Sequence, residues 1–311
     1  MIICAGESLI DMVSFGIEKG EVQYTPHVGG SILNSARALG RLDADAYYCG
    51  AVSNDTFGGL ILDSLRDSKV QEDFIINTNR PTTLAYADVT DGVAKYTFVD
   101  EHSAGRLIDE VSLKPFVNKI KNAKALLVGG ISLQAEPCGS SWQWLIEQVL
   151  GGCVIYFDAN IRSDFIENKR NYFERFVELT TKVDIIKISE EDYRYLYGAK
   201  DFNKVSKVWL NNGVKLVILT LGSEGSKVIY DNGKEVFAKI KKVDVVDTIA
   251  AGDTFNAGFL LSLDVQGLLD RESLDIISDT QIEKALSYAN KVASITVTKK
   301  GANPPWMHQI K

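Results

Sequence analysis

Residues Val243–Leu261 read VDVVDTIAAGDTFNAGFLL, and this stretch predicts the end of a strand, a turn and an apolar helix. Alternating β-branched residues before Asp247 favour the strand, and the apolar run after Asp253 favours the helix. The turn ends in Ala251 and Gly252, which are small enough to let the backbone approach a ligand closely.

A helix that begins at this turn would offer an anion-binding site. The N–H groups of its first turn have no partner inside the helix, and the helix dipole places about half a positive charge there. Asp253 lies in or just before this turn, where a lone carboxylate is usually only a favourable helix-end residue. A second acid, Asp247, stands six residues upstream. A carboxylate beside such N–H groups suits phosphoryl transfer, because it accepts a hydroxyl proton while they hold the developing charge.

The segment DTIAAGDTFNAGF is similar to the C-terminal signature of the ribokinase-like sugar kinases, the phosphofructokinase B type. The resemblance implies that Asp253 is the catalytic base and that the N–H groups of Ala251, Gly252 and Asp253 form an anion hole. It implies that Asp247 holds a sugar hydroxyl. The implied fold is α/β: a ribokinase-like three-layer α/β/α core with a mostly parallel central sheet, and a small β-sheet lid.

The composition is that of a soluble globular protein. The 311 residues are 45% hydrophobic and 24% charged, with a net charge of −7, so we expect neither nucleic acid nor a membrane as a partner. The four cysteines show no CxxC spacing, which predicts small buried residues. The N-terminus has no basic region, and no apolar run approaches the length of about 20 residues that spans a membrane, so a cytoplasmic location is expected.

Motifs of other enzyme classes are absent from the sequence. It contains no GxxxxGK[ST], no GxGxxG after a strand, no HExxH and no GxSxG. These absences argue against a P-loop NTPase, a dinucleotide-binding enzyme, a zinc protease of the HExxH type and an α/β-hydrolase.

The N-terminal part carries a second signature. A buried strand is expected at Ile2–Ala5, and Asp11 follows it, where side chains of an open α/β sheet face the usual ligand crevice. The segment GGSILNSARALGRL resembles the N-terminal signature of the family. It implies that Gly29, Gly30 and Asn34 lie against the sugar together with Asp11. The alternatives are ordinary turn glycines, a solvated loop acid and an exposed helix residue.

A β-hairpin is predicted from strands Leu84–Thr90 and Ala94–Val99, joined by Asp91-Gly92. It interrupts the alternation of helices and strands, so it should lie outside the parallel sheet. There it can pair with the exposed strand expected in residues 13–28.

The resemblance divides the chain into a lid and a catalytic core. The lid comprises residues 13–29 and 84–106, and in many family members it also makes a homodimer. The core comprises residues 1–12, 30–83 and 107–311, where repeated β–α succession predicts a parallel sheet with helices on both faces.

Two further segments resemble bacterial fructokinases. FVDEHSAGR, which ends at Arg106, resembles the segment that completes the sugar pocket and implies substrate contacts from Phe98 and Arg106. The alternative for Arg106 is a salt bridge. DANIR, which ends at Arg162, resembles the DxNxR element and implies that Arg162 contacts the transferred phosphate, where a guanidinium stabilises spread-out charge. The alternative is a surface arginine.

Residues assigned to the nucleotide come only from the resemblance. KISEED, 187–192, is similar to the family's region near the metal–phosphate complex, and TLGSEGS, 220–226, to its nucleotide loop. The implied ATP contacts, beyond the anion hole, are Lys187, Ser189, Thr220, Gly222, Gly225 and Asn290. Asp192 is the implied indirect ligand of Mg²⁺, although which of Glu190, Glu191 and Asp192 faces inward stays open. An acidic helix N-terminus and a glycine-rich hairpin are the competing interpretations.

The sequence thus predicts an ATP-dependent sugar kinase that uses Mg²⁺ and acts on a primary hydroxyl, with fructose as the expected substrate and fructose 6-phosphate as the product. In many relatives the loop corresponding to residues 300–305 also helps to hold a monovalent cation such as K⁺. Three alternatives are open on substrate: 2-keto-3-deoxygluconate, ribose and a nucleoside. A non-catalytic sugar-binding regulatory protein is the alternative from another class.

Overall fold

The computed structural model describes residues 1–18, 21–90 and 93–310. Its strands are β1 Ile2–Ala5, β2 Leu9–Glu18, β3 Glu21–Gly29, β4 Ala46–Ser53, β5 Gln71–Thr78, β6 Leu84–Thr90, β7 Val93–Val99, β8 Ala125–Gly129, β9 Val154–Asp158, β10 Ile185–Ser189, β11 Leu216–Thr220, β12 Gly225–Tyr230 and β13 Lys234–Lys239. Its α-helices are α1 Ser31–Arg41, α2 Thr56–Asp67, α3 Glu110–Leu113, α4 Val117–Lys121, α5 Cys138–Val149, α6 Lys169–Leu179, α7 Glu190–Tyr197, α8 Phe202–Asn211, α9 Ala251–Val265, α10 Arg271–Asp275 and α11 Asp279–Thr296.

A sheet of nine described strands forms the centre of the protein, in the order β13-β12-β11-β10-β9-β8-β1-β4-β5. All neighbouring pairs from β11 to β5 are parallel, and β12 and β13 add an antiparallel edge. The predicted α/β class with a mostly parallel sheet is confirmed. Candidate site residues follow the carboxyl ends of the parallel strands, where open α/β sheets bind ligands.

The two faces of the sheet are buried in two apolar clusters. Successive residues of one strand point to opposite faces, so Ile2 packs in one cluster with α1, α2, α9 and α11, and Ile3 packs in the other with α5, α6 and α8. Strands buried on both faces explain the continuous apolar runs from which the sequence predicts them.

Both edge strands of this sheet escape prediction. The sequence analysis assigns no strand to β5 or β13, and they are the two outermost strands. Their residues are largely exposed or half-buried, so neither strand reads as an apolar run. An edge strand forms largely because it pairs with its inner neighbour, and the residues of the edge strand alone do not reveal this pairing.

The strand end predicted before Asp247 is wrong. Residues 241–246 form no strand, and Val245 and Val246 are 60% and 64% exposed. The backbone N–H of Val246 donates to Val297 O at 2.8 Å instead. The segment therefore lies against the end of α11 rather than in a sheet.

A second sheet has the order β3-β2-β6-β7 in the described residues. β6 and β7 pair antiparallel, as the hairpin prediction requires, whereas the connecting Asp91-Gly92 lies outside the described residues. β2 enters this sheet at Leu9, ahead of residue 13, so Asp11 lies on a strand of the second sheet. The division into core and lid stays a prediction.

None of the described helices is both long and apolar enough to cross a membrane.

Candidate active site

Helix α9 begins with an open N-terminus. Ala250 precedes it as the N-cap residue, in the left-handed conformation with φ 61°, and has no side-chain oxygen to cap the helix. The N–H of Ala251 donates to Thr248 O at 3.2 Å. In the part of the chain that the structure describes, no partner is found for the N–H groups of Gly252 and Asp253. Two of the three N–H groups predicted for an anion hole are therefore free to bind an anion.

The carboxylate of Asp253 sits at this open helix end, only 7% exposed. Its Oδ2 accepts a hydrogen bond from Asn34 Nδ2 at 3.0 Å. Burial raises the pKa of Asp253 to about 7; the bond from Asn34 opposes the rise, the charge of Asp158 adds to it, and Lys187 and Arg162 lower it. A carboxyl group with a pKa near 7 can accept a proton at neutral pH.

Gly29 lies against the carboxylate of Asp11, whereas Gly30 lies against the backbone of Glu7. A Cβ on Gly29 would lie 2.1 Å from Asp11 Oδ2, and one on Gly30 would lie 2.9 Å from Glu7 O. Gly30 also has φ +104°, a conformation that other residues rarely adopt. Burial raises the pKa of Asp11 to about 6, against the positive charge of Arg162. Asp11 is thus a half-buried acid that needs Gly29 beside it.

A buried ion pair lies beneath the start of α9. Lys187 Nζ is 3.0 Å from both carboxylate oxygens of Asp158, which also accepts from Asn256 Nδ2 at 2.7 Å. A Cβ on Gly252 would lie 3.0 Å from Lys187 Nζ. Gly252 therefore lets the ammonium group approach the helix end, where it adds to the positive potential. Asp158 was missed as a site residue, although it opens the DANIR element.

Of the three neighbouring acids on α7, Asp192 is the one that faces inward. It is 9% exposed, its Oδ1 accepts from Ile161 N at 3.1 Å, and its N–H is capped by Ser189 Oγ at 3.0 Å. Burial raises its pKa. Glu190 instead pairs with Arg194 at the surface, and Glu191 is exposed.

The fit of Mg²⁺ to this region depends on the nucleotide. Among the described residues, no group of three or more His, Cys, Asp or Glu side chains could hold a metal ion. A single inward carboxylate, that of Asp192, fits Mg²⁺ only when phosphate oxygens and waters supply the other ligands, which is how this ion usually binds.

Arg106 is engaged by protein carboxylates. Its guanidinium lies 2.9 Å from Asp100 Oδ2 and 2.6 Å from Glu167 Oε1, and it stacks over the Phe165 ring at 5.7 Å. Phe98 packs edge-on against the same ring at 5.0 Å. These contacts favour the salt-bridge alternative for Arg106. The Arg106 side chain forms one wall of a small cavity that is also lined by Glu7 and Asp100.

Two predicted ligand contacts are occupied by the protein's own groups. Asp247 accepts from Ile249 N at 3.0 Å and from Gly301 N at 2.8 Å. Asn290 is 4% exposed and bonds Ser226 Oγ at 3.0 Å and Ala238 O at 2.9 Å. Their roles toward sugar and adenine stay predictions, and their contacts favour structural roles.

The two glycines of the candidate nucleotide loop fit different interpretations, one a ligand-binding loop and the other a glycine-rich hairpin. After Thr220 ends β11, Gly222 has φ +55° and open space around its missing side chain. Gly225 has φ +123°, and a Cβ there would lie 2.2 Å from Ala238 O. Gly225 is thus required by the packing of β12 on β13, whereas the surroundings of Gly222 leave room for a ligand.

Glu7 is a second residue that sequence analysis did not assign to the site. It is 7% exposed, and its Oε1 accepts from Ser31 N at 3.0 Å and Ser31 Oγ at 2.6 Å. It therefore caps α1, whose own N-cap residue, Gly30, has no side chain to do so. The acid in GESLID was the available signal. It holds the helix that carries Asn34.

A buried carboxylate at the open N-terminus of a helix, with a buried lysine beneath it, is suited to phosphoryl transfer to a hydroxyl group. The chain belongs to the pfkB family of carbohydrate kinases, whose family model matches residues 1–309. It is accordingly an ATP-dependent sugar kinase of the ribokinase-like fold, and the resemblance found in the sequence is confirmed.

The chain is also similar to individual proteins and solved structures. A fructokinase of Rhizobium leguminosarum bv. trifolii is 37% identical over 274 residues, which cover 88% of this chain and 83% of that protein. The crystal structure of Xylella fastidiosa fructokinase with bound ATP has a TM-score of 0.89 at 24% identity and covers 97% of this chain and 93% of that one. Vibrio cholerae O395 fructokinase, in its fructose, ADP and calcium ion bound form, has a TM-score of 0.80 at 25% identity, with coverages of 97% and 94%.

Proposed function

We propose that this protein is a fructokinase that transfers the γ-phosphate of ATP to the primary hydroxyl of fructose and gives fructose 6-phosphate. The observation that carries the mechanism is the position of Asp253, a buried carboxylate with a pKa of about 7 at the open N-terminus of α9. The choice of fructose is supported by the relatives named fructokinase.

In this mechanism the sugar hydroxyl lies between Asp253 and the γ-phosphate. Asp11 accepts hydrogen bonds from other hydroxyls of the sugar and fixes its orientation. As the hydroxyl oxygen attacks phosphorus, Asp253 takes the proton, and the bond from the γ-phosphorus to the bridging oxygen of ADP breaks. The N–H groups of Gly252 and Asp253 hold the oxygens of the transferred group, and Lys187 and Arg162 offset its negative charge.

The nucleotide would lie along the carboxyl ends of β10 and β11, with Ser189, Thr220 and Gly222 beside its phosphates and ribose. Mg²⁺ bound with ATP would neutralise the phosphate charge, with Asp192 as its nearest protein carboxylate. The second sheet would act as a lid that excludes water from the transferring group.

The charges of the pocket argue against 2-keto-3-deoxygluconate. The carboxylate of that sugar acid needs a cation of its own. Arg106 already pairs with Asp100 and Glu167, and in this mechanism Arg162 serves the transferred phosphate. Asp11 adds a further acid on the sugar side, which disfavours a second carboxylate there. A neutral polyhydroxyl substrate is the better match.

The test is ADP release with ATP and Mg²⁺ across fructose, ribose, 2-keto-3-deoxygluconate, glucose, tagatose and adenosine, with Asp253→Ala alongside. We expect a preference for fructose that the variant loses. Preference for another sugar would overturn the substrate and keep the mechanism. Fructose binding without ADP release would instead support the non-catalytic sugar-binding alternative.

A further inference from the structure

Helix α1 carries a buried arginine that the proposed reaction does not use. Arg37 is 9% exposed, and its Nε has no hydrogen-bond partner among the residues that the structure describes. Across the described ranges no carboxylate lies within salt-bridge distance of its guanidinium. Burying a charge without an ionic partner is costly. The groups that Arg37 contacts must therefore account for the burial of its charge.

The guanidinium of Arg37 donates hydrogen bonds to two oxygens. Arg37 Nη1 donates to Asn34 Oδ1 at 3.4 Å and to Ala302 O at 3.3 Å. Asn34 Nδ2 in turn donates to Asp253 Oδ2 at 3.0 Å. The side-chain amide of Asn34 thus stands between a cation and an anion, with its oxygen toward the cation and its nitrogen toward the anion. This arrangement is an ion pair bridged by an amide.

The orientation of that amide matters for Asp253. If it were rotated by half a turn, Asn34 would point a carbonyl oxygen at the carboxylate, and two acceptors would face each other. A donor on Asn34 Oδ1 selects the other orientation. Arg37 is the donor that the structure supplies.

We propose that Arg37 is a positioning residue for the base: it orients the amide of Asn34 so that its N–H group donates to Asp253. This proposal rests on the proposed role of Asp253. Through Ala302 O, Arg37 also links the base to the loop after α11, whose Gly301 N–H binds Asp247. The start of α9 is thereby held from both sides.

Loss of Arg37 is therefore expected to change the pKa of Asp253 in one definite direction. Hydrogen bonding to the ionised form favours that form, so loss of the oriented amide raises the pKa of Asp253. The other groups that act on its charge are Asp158 from β9, Lys187 from β10 and Arg162 from the loop after β9. None of these is bonded to Arg37. Arg37 itself, with a pKa lowered to about 10 by burial and the charge of Arg41, stays charged at neutral pH.

The experiment compares Arg37→Met with Arg41→Met as its matched control. Arg41 lies one turn further along α1 and also binds the C-terminal loop, at Asn303 Oδ1 and Pro304 O. Profiles of kcat/KM for fructose against pH are measured for both variants. We expect the acid midpoint of Arg37→Met to rise by about one unit, an approximately tenfold loss at pH 6 that is regained at high pH. Arg41→Met should keep the wild-type midpoint.

A double-mutant cycle separates positioning from a general structural role. Asn34→Ala removes the amide, so it should shift the midpoint by itself, and adding Arg37→Met should then shift it no further. Arg37→Lys retains the charge, and it should restore part of the shift if it still reaches Asn34 Oδ1. If Arg37→Met folds and keeps the wild-type midpoint, or if the two shifts add, the proposal is overturned.

A readout that needs no activity keeps this proposal distinct from the proposed function. The titration of the Asp253 carboxyl can be followed by carbon-detected NMR in the protein without substrates. A raised midpoint in Arg37→Met supports the relay even if no tested sugar is phosphorylated. An unchanged midpoint rejects the relay even if the enzyme is an active fructokinase. Should Arg37→Met fail to fold, Arg37→Lys and Asn34→Ala are titrated, and unshifted midpoints in both reject it.

Discussion

Asn34 Nδ2 donates to Asp253 Oδ2 at 3.0 Å, although 219 positions separate the two residues in the chain. This bond joins the N-terminal and C-terminal signatures of the sequence into one site. It also opposes the effect of burial on the pKa of Asp253. The protonation of Asp253 therefore depends on a balance between burial, hydrogen bonding and charge.

Replacing Asp253 with Asn should lower kcat by roughly a hundredfold or more, because the amide cannot take the hydroxyl proton. The KM for ATP should change little. Asp264→Asn is the control, since Asp264 lies on the same helix but pairs with Lys124. The measurement is the steady-state rate of ADP release by the two variants and the wild type. Undiminished turnover in Asp253→Asn would remove Asp253 from the role of base.

The activity of the wild-type enzyme should rise with pH through a midpoint near 7, because the base works in its ionised form and burial raises its pKa to about 7. Protonation of Asp11, with a pKa of about 6, should steepen the loss at lower pH. The measurement is kcat/KM for the sugar between pH 5 and 9. A flat profile across pH 6–8 would contradict the assignment.

Because of its raised pKa, the Asp253 carboxyl group also makes the stability of the folded protein depend on pH. The folded protein binds the Asp253 proton more tightly than the unfolded chain, so this group contributes most to stability below pH 4. The contribution is lost as the pH rises from about 4 to 7. Asp253→Asn should therefore stabilise the protein at pH 8, by on the order of 2–4 kcal/mol, and have little effect at pH 4. Urea unfolding at the two pH values measures the difference, and equal effects at both would refute it.

Gly29→Ala should raise the KM for the sugar by about tenfold or more, because its Cβ would lie 2.1 Å from Asp11 Oδ2 and must displace that carboxylate. The KM for ATP should stay close to that of the wild type. Gly59→Ala is the matched control: Gly59 lies within α2, and its added Cβ meets nothing within 4 Å. This control should stabilise the helix by about 1 kcal/mol. An unchanged sugar KM in Gly29→Ala would place Asp11 outside the sugar site.

Lys187→Met should reduce both stability and activity. It leaves Asp158, which is 1% exposed, without its cation, and breaking a buried pair in this way costs about 3–5 kcal/mol. Adding Asp158→Asn removes the orphaned charge and should restore most of the stability. It should not restore kcat, because the positive charge beneath α9 is still missing. Recovery of full activity in the double variant would show that Lys187 is only structural.

The α/β class, the inner strands, and the candidate base were all predictable from local sequence. Inner strands are apolar on both faces, so each is visible from its own residues, and the turn before α9 combines small residues with an acid in a pattern that carries its own chemistry. Edge strands β5 and β13 were not visible, because their regularity depends on a neighbour. The segment before Asp247 has the alternating pattern of a strand but forms none, because its backbone N–H groups bond to the end of α11 instead of to a neighbouring strand.

Local sequence was enough to indicate the inner strands, most helices and an acid, Asp253, in the first turn of a helix suited to bind an anion. Only the tertiary structure decided which acid of α7 faces inward, that Asp158 pairs with Lys187, and that Arg37 reaches Asp253 through Asn34. The physical reason is that periodicity and helix-end chemistry act within a few residues. Burial, pKa and hydrogen-bond partners depend instead on groups that folding brings together from distant parts of the chain.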